Sequence, residues 1–290
     1  MRYSSRFFLY APIAALLTLA AIAMVHWWIV AGALEKRLDA VNGHEIIPGV
    51  RISFASKRIA GFPFRLETRL SGLRIEVEEK DGPIVWTTED FAAHALAYGR
   101  VQAIFEAAGQ QTVSWHDRVG TTHAFAFLPG TFRASAIVEN SALVRFDSQV
   151  IDLDGADFRA AKLEFHFRTN KDKIEAYLLL QNAHIPSGYA ASIGPDLQTL
   201  TANVSLDHRS ALDGGLRGQI APATALDQWR QAGGTIGVGN LALGWKKRAA
   251  SFSGKFTLDQ HHNVAGMLHG ARGTLAATGN KLSLSSALLP

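Results

Sequence analysis

The residues best suited to chemistry in this chain are three aspartates grouped around a glycine. The segment DLDGAD places Asp152, Asp154 and Asp157 near Gly155, as calcium-binding loops do. It lacks the D-x-D-x-D-G order and the later glutamate of an EF-hand. We therefore interpret the segment as a solvated turn.

Histidines are the next candidates, because they serve as metal ligands and as general acids or bases. The ones considered are His261, His262, His269 and His116, the last followed by Asp117. None has the H-E-x-x-H spacing of zinc enzymes, so turn positions explain them. The stretch GVGNLA at 237–242 fits a loose dinucleotide pattern, but it follows a helix, the reverse of the required order. No G-x-S-x-G elbow or phosphate loop is present. We expect no catalytic residue, no metal site and no cofactor.

Composition narrows the classes of function further. The 290 residues include no cysteine, which excludes disulfides and thiolate chemistry. The net charge is +4, from 29 basic and 25 acidic residues without a long basic run. Because nucleic-acid binding proteins usually cluster their Lys and Arg residues, we expect no nucleic-acid partner.

An apolar segment near the N-terminus is the strongest signal in the sequence. Residues 7–31 contain no Asp, Glu, Lys or Arg, and roughly 20 such residues suffice for a helix to cross a bilayer. Arg2 and Arg6 precede the segment, so the positive-inside rule places the N-terminus in the cytoplasm. A cleaved signal peptide is the alternative, because Ala31-Gly32-Ala33 has the form of a cleavage site. The length of the segment, beyond the roughly 7–15 residues of a signal core, favours a retained anchor.

Alternating apolar and polar residues dominate the rest of the chain and predict strands. In the stretch RIAGFPFRLE the alternation predicts a strand whose apolar face begins at Phe62. Gly61, Pro63 and Arg65 fall on its polar side, and we interpret these three as a motif that starts the strand. The candidates for an apolar groove or core are Phe62, Phe64, Leu66, Leu73 and Ile75.

The same alternation recurs along the chain and predicts a mainly β fold of the β-rich α+β class. We expect an N-terminal transmembrane helix followed by a curved, mostly antiparallel sheet. Short helices are predicted near 187–194 and at 223–234, the second ending at Gly233-Gly234. Residues 1–33 form the predicted cytoplasmic tip and anchor, and residues 34–290 a periplasmic β-rich domain.

Four segments in the same order resemble a bacterial family called domain of unknown function 2125. They are AGFPFR at 60–65, KLEFHFR at 162–168, the stretch 185–206 and the stretch 229–270. The resemblance covers roughly residues 45–270 and implies a membrane-anchored envelope protein without an assigned activity. The last of these segments is also similar to the repeating strands of AsmA-type envelope proteins, which implies a curved sheet with an apolar inner groove.

These observations favour a non-enzymatic protein anchored in the bacterial inner membrane, with most of the chain in the periplasm. A sheet with amphipathic strands and few helices needs something to cover its apolar face. The leading hypothesis is that the sheet binds or shields lipid-like apolar molecules. The alternative is a structural protein that docks an envelope partner through its sheet edges. A third hypothesis is a hydrolase whose site the sequence does not reveal.

Overall fold

The fold consists of one long helix followed by one large sheet. A computed structural model describes residues 5–63, 65–96, 102–117, 119–156, 158–185, 195–246, 248–271, 273–278 and 281–284. Helix α1 spans Ser5–Val41. The strands are β1 (His44–Ile47), β2 (Val50–Ser53), β3 (Ser56–Ala60), β4 (Arg65–Val77), β5 (Ile84–Leu96), β6 (Gln102–His116), β7 (Thr122–Glu139), β8 (Ala142–Gly155), β9 (Arg159–Asn170), β10 (Lys173–His184), β11 (Asp196–Leu206), β12 (Ile236–Trp245), β13 (Arg248–Leu258), β14 (Val264–Gly270), β15 (Gly273–Thr278) and β16 (Lys281–Leu284).

Three short helical segments lie between β11 and β12. They are a 3₁₀ turn (Arg209–Leu212), α2 (Asp213–Leu216) and α3 (Pro222–Gln231). Helix α3 matches the helix predicted at 223–234, and Pro222 occupies its first turn, where the missing N–H costs nothing. The turn of helix predicted near 187–194 lies outside the described residues.

The strands follow one another through the sheet in chain order, each antiparallel to the next. Strand β3 is the exception. Strands β2 and β3 both pair with β4, β2 with residues 74–77 and β3 with residues 67–71. The turns that reverse the chain have the backbone that hairpins require. Asn140 and Ser141, for example, both have positive φ in the two-residue turn between β7 and β8. The predicted mainly β fold, with one antiparallel sheet and few short helices, is confirmed, and the sheet is not closed into a barrel.

Strong twist brings distant parts of the sheet together. The β4–β5 turn and the β13–β14 turn belong to opposite ends of the strands, yet Lys80 Nζ donates a hydrogen bond to the carbonyl oxygen of Gln260 at 2.7 Å. Nine steps separate β4 from β13, and a twist of roughly 20–25° per step rotates the strand direction by about 180–225° over that distance. The rotation places one end of β4 beside the opposite end of β13.

Two large clusters of buried side chains lie in the part of the sheet between β7 and β13. The larger one lies on a single face and consists of Phe127, Val150, Leu153, Ala160, Leu180, Ala183, Leu197 and Trp245. The second joins the helical segments to the strands through Ile174, Leu212, Ala225 and Trp229. The short helices therefore cover one end of the apolar face.

Helix α1 packs its C-terminal part against β3 and β4. Trp27, Ala31, Leu34 and Leu38 recur every three or four residues, so they lie on one side of the helix, and that side contacts the sheet. Lys57 in β3 forms ion pairs with Glu35 and Asp39 of the helix. The predicted boundary at residue 33 thus lies inside α1, which continues to Val41.

The strand predicted to begin at Phe62 begins instead at Arg65. Phe62 and Pro63 lie in the turn between β3 and β4, where Ala60 is paired with Glu67. Gly61 has a φ of 97°, and its carbonyl oxygen accepts a hydrogen bond from the backbone N–H of Arg65 at 3.1 Å. The chain must reverse direction between β3 and β4, and apolar residues continue to alternate with polar ones through this turn. The alternation therefore does not show where β4 begins. The prediction was therefore wrong about the start of the strand.

Candidate functional site: an apolar groove beside helix α1

An apolar cavity of about 250 Å³ lies on one face of the sheet between β4 and β8. Apart from Glu106, every residue that lines it is hydrophobic. The lining consists of Ile75, Trp86, Phe91, Phe105, Glu106, Ala107, Phe132, Ala134 and Phe146. We call this cavity the apolar groove.

The strand register explains why these residues share a face. Phe91 is paired with Ala107, which is paired with Phe132, so the three lie in one row across β5, β6 and β7. Phe105 lies two residues from Ala107 and therefore on the same face. Glu106 lies between them and points to the other face, where its carboxylate forms an ion pair with Arg133 Nε at 3.0 Å. The wall of the groove is consequently almost pure hydrocarbon.

Aromatic rings give the groove its shape. The ring of Phe91 stacks on that of Phe105 with centroids 5.9 Å apart, and Trp86 lies 6.1 Å from Phe91 and 5.9 Å from Phe132. These separations lie in the range in which aromatic pairs attract. The rings therefore hold one another in place while leaving an open space between them.

The indole N–H of Trp86 is the one polar group among these aromatic side chains, and it has a buried hydrogen-bond partner. Trp86 Nε1 donates a hydrogen bond to Oε1 of the buried Gln111 at 3.1 Å. Gln111 Nε2 in turn donates to Thr88 Oγ1 at 2.7 Å. Because buried polar groups need such partners, this network lets the indole present only its apolar side to the groove.

The groove continues into the contact between the sheet and helix α1. Phe54, Leu70 and Leu73 form a buried cluster, and Leu38 of the helix packs against it. Ile75, Trp86 and Phe91 pack against the same cluster and also line the groove. A continuous apolar surface therefore runs from α1 to the groove.

The five residues predicted as groove or core occupy different surroundings. Leu73 is 1% exposed and Leu66 is 8% exposed, so both belong to the core against α1. Ile75 lines the groove, and Phe62 is 48% exposed at the β3–β4 turn. Phe64 lies outside the described residues.

The groove residues of β5–β8 were missed by the sequence reasoning. Their meeting depends on the register between strands, which no local alternation reports. The predicted motif that starts the strand is placed as follows: Gly61 and Pro63 in the turn, and Arg65 as the first residue of β4.

A polar cavity of about 550 Å³ lies on the opposite face, across β8–β12. Its charged groups neutralise one another: Asp147 contacts His166 and Arg145, each at 2.7 Å, and Arg168 contacts Glu175 at 2.6 Å. Burial raises the pKa of Asp147, but the hydrogen bonds from His166 and Arg145 outweigh it and lower the pKa on balance. We interpret this face as a solvated network of ion pairs.

A second polar feature joins the two distant parts of the sheet. It consists of Glu79, Lys80, Asp227 and His262, which we call the rim cluster. The buried His262 lies 2.7 Å from Glu79 and 3.3 Å from Asp227. Lys80 Nζ donates a hydrogen bond to Asp227 at 2.6 Å and, with contributions from His262 and Arg230, lowers the pKa of Asp227 to about 2. The cluster connects the β4–β5 turn with α3 and with the β13–β14 turn.

The other polar candidates from the sequence do not converge. Asp152 and Asp154 belong to β8 rather than to a turn, and Asp157 lies outside the described residues. His261 lies 3.5 Å from Asp81, and Asp117 is bonded to His123. Among the described residues no group of three or more His, Asp or Glu side chains has an arrangement that could hold a metal ion.

Comparison with known proteins places the chain in a family. Neither the curated proteins nor the solved structures contain a match. A family model matches residues 27–279, which include the second part of α1, the apolar groove and the rim cluster. Its description is "uncharacterized protein conserved in bacteria", and it is the family that the four sequence segments resemble. The chain belongs to this bacterial family, DUF2125.

Proposed function

We propose that this protein is anchored in the bacterial inner membrane by α1, lies mostly in the periplasm and binds an acyl chain of a lipid-like molecule in the apolar groove. The observation that carries the proposal is the continuous apolar surface from α1 to an open hydrocarbon-lined cavity. Protein interiors are normally close-packed, so an open space among aromatic rings favours a bound apolar molecule. The function we propose is binding or shielding, without catalysis.

The anchor is supported by the composition of α1. The part from Pro12 to Val41 is long and apolar enough to span a membrane. Its apolar side chains, such as Leu16 and Leu19, are exposed, as lipid-facing residues are. Arg2 and Arg6 on the N-terminal side favour a cytoplasmic N-terminus, and hence a periplasmic sheet.

The size of the groove favours part of a lipid over a whole one. A volume of about 250 Å³ is just below the roughly 300–1,000 Å³ typical of small-molecule sites. Because the lining offers no free polar group to a headgroup, the part that fits best is an acyl chain. The headgroup would remain in water or at the membrane surface.

The experiment uses the full chain in vesicles that contain some phospholipid with a photoreactive group at the end of one acyl chain. After illumination, mass spectrometry identifies the labelled peptides. We expect label on the peptides that contain Phe105 and Phe132. Label confined to α1 would refute groove binding.

A pair of variants separates the groove from the general membrane surface. Ala134→Trp fills the groove, whereas Ser135→Trp places the same ring one residue away on the polar face. We expect the first variant to lose the label on the sheet and the second to keep it. Equal labelling of both would show that the lipid does not occupy the groove, provided that circular dichroism shows both to be folded.

A second function is favoured by the edge of the sheet. Strand β16 is paired only with β15 among the described strands, so its outer edge offers backbone groups to an added strand. An envelope protein could dock there. Site-specific crosslinking from the outer edge of β16, with recovery of one protein in stoichiometric amount, would favour this function over lipid binding.

A further inference from the structure

Helix α1 is longer than a membrane requires. It has 37 residues, whereas about 20 cross the hydrocarbon core. If the span begins after Arg6, it ends near Trp27, and the remaining turns project about 20 Å beyond the membrane at 1.5 Å per residue. Trp27 and Trp28 then lie at the outer interface, where aromatic residues are enriched.

The sheet reaches down to the level of these tryptophans. Trp27 Nε1 donates a hydrogen bond to the carbonyl oxygen of Arg65 at 2.9 Å, and its ring lies 5.5 Å from that of Phe62. Leu66 is buried against Trp27 and Ala31. The β3–β4 turn is therefore held at the depth at which α1 leaves the bilayer.

The outer side of this region has the composition of a membrane-contact surface. Phe62 is 48% exposed and Trp28 is 66% exposed. Both are large apolar groups that a purely aqueous setting would leave uncovered. Both rings contact that of Trp27, whose centroid is 5.6 Å from that of Trp28.

Three arginines lie on the other face of β3 and β4, opposite the residues that pack against α1. Arg58, Arg65 and Arg69 are exposed, and Arg58 is directly paired with Arg69 across β3 and β4. Like charges opposite each other destabilise a sheet unless an anion lies nearby. Glu67 bonds to Arg69 at 2.6 Å and lies 3.7 Å from Arg65, but a single carboxylate leaves this group of three arginines with a positive charge. Phosphate groups of anionic lipids would compensate it.

We propose that the β3–β4 turn, together with Trp28, is a membrane-contact surface, with Phe62 in the interfacial layer and the three arginines against anionic lipid headgroups. This proposal depends on the proposed function in one respect only, namely that α1 spans the membrane. It adds a second attachment, which fixes the orientation of the sheet so that this end of β4–β6 faces the bilayer.

The position of small residues connects this surface to the apolar groove. Ala95, Ala103 and Ala136 form one paired row across β5, β6 and β7. The row lies on the face of the groove, between its aromatic rings and the membrane end of the strands. Short side chains at this place leave the way open for an acyl chain that enters from the bilayer.

The absence of cysteine makes a clean test possible, because one introduced cysteine is the only labelling site. Three full-length variants carry an environment-sensitive fluorophore: Phe62→Cys in the turn, Leu17→Cys in α1 and Val119→Cys in the β6–β7 turn. Val119 is 84% exposed and lies at the other end of β6, about 40 Å or more from the membrane end at roughly 3.3 Å per residue. Each variant is reconstituted in vesicles of equal parts phosphatidylcholine and phosphatidylglycerol with brominated acyl chains.

We expect bromine to quench the fluorophore at positions 62 and 17, by about twofold at position 62 for a group a few ångströms deep in the interface, and to leave position 119 unchanged. Quenching at 17 but not at 62 would overturn the contact surface and leave the anchor intact. No quenching at 17 would overturn the membrane span itself. Quenching at 119 would show that the sheet lies flat on the bilayer and would overturn the proposed orientation.

The arginines are tested in the same vesicles. We expect Arg65→Glu combined with Arg69→Glu to reduce quenching at position 62 in vesicles with phosphatidylglycerol, and to have little effect in phosphatidylcholine alone. A reduction of equal size in both lipids would argue against headgroup recognition by charge.

Discussion

Gly234 lies directly against the indole of Trp229, and this contact makes a quantitative prediction. A Cβ at position 234 would lie 2.6 Å from Trp229 Nε1 and closer still to the ring carbons. The ring is 0% exposed, and its Nε1 donates a hydrogen bond to the carbonyl oxygen of Asp207 at 2.6 Å. Gly234→Ala must therefore displace a large side chain that has no free space around it.

The expected cost follows from two contributions. Overpacking of a filled core costs about 1–3 kcal/mol. Loss or distortion of the hydrogen bond to Asp207 adds about 0.5–1.5 kcal/mol. We expect Gly234→Ala to lower the free energy of unfolding by about 2–4 kcal/mol.

The neighbouring glycine provides a matched control. Gly233 has a φ of 81° but open space around its Cα. Alanine there costs about 1–2 kcal/mol for the left-handed backbone, offset by about 0.4–1 kcal/mol from a less flexible unfolded chain. Gly233→Ala should therefore cost about half as much as Gly234→Ala, or less.

The assay is urea unfolding of the full chain in detergent micelles, followed by near-ultraviolet circular dichroism. The same substitutions are repeated with Trp229→Phe, whose smaller ring relieves the contact. In that background we expect the cost of Gly234→Ala to fall below about 1 kcal/mol. Equal costs at 233 and 234, or a cost at 234 that Trp229→Phe leaves unchanged, would refute this reasoning.

Two further predictions concern the core against α1 and the rim cluster. Leu73→Ala should lower the free energy of unfolding by about 2–5 kcal/mol because the side chain is 1% exposed, and a thermal midpoint equal to that of the native chain would contradict this. The folded protein lowers the pKa of Asp227 to about 2, below the ordinary carboxyl value of about 4. The ionised carboxylate therefore stabilises the fold above pH about 4, and this stabilisation is lost as the pH falls to about 2. The stability difference between the native chain and Asp227→Asn, measured by urea unfolding, should therefore shrink over this range, and a difference independent of pH would count against the rim cluster.

The sequence was sufficient to predict the type of fold, because the signals involved are local. Alternation with a period of two and turn residues between the runs identified the strands, and Gly233-Gly234 marked the end of α3. Alternation was misleading at Phe62, where apolar residues continue into a turn. The chain reversal there depends on the pairing of β3 with β4, which no local pattern reports.

The candidate site was less predictable, because it depends on contacts between distant segments. Phe91, Phe105 and Phe132 meet only through the register of three strands. The contact between Glu79 and His262 joins residues 183 positions apart and requires the accumulated twist of the sheet. His262 looked like one of several turn histidines, and its sequence neighbours give no sign of its acidic partners.

The order of the strands has a consequence for how the protein is made. Apart from β3, each strand pairs with its neighbours along the chain, so no strand has to wait for a distant part of the sequence. Each strand can therefore add to the sheet soon after it emerges, and most of the connections that must close are short, whereas the one between β11 and β12 is longer and contains the short helices. The contacts of the rim cluster join β4–β5 to β13–β14 and can form only when most of the sheet exists. The contacts that hold these two distant parts of the sheet together thus form late, after neighbouring strands have paired.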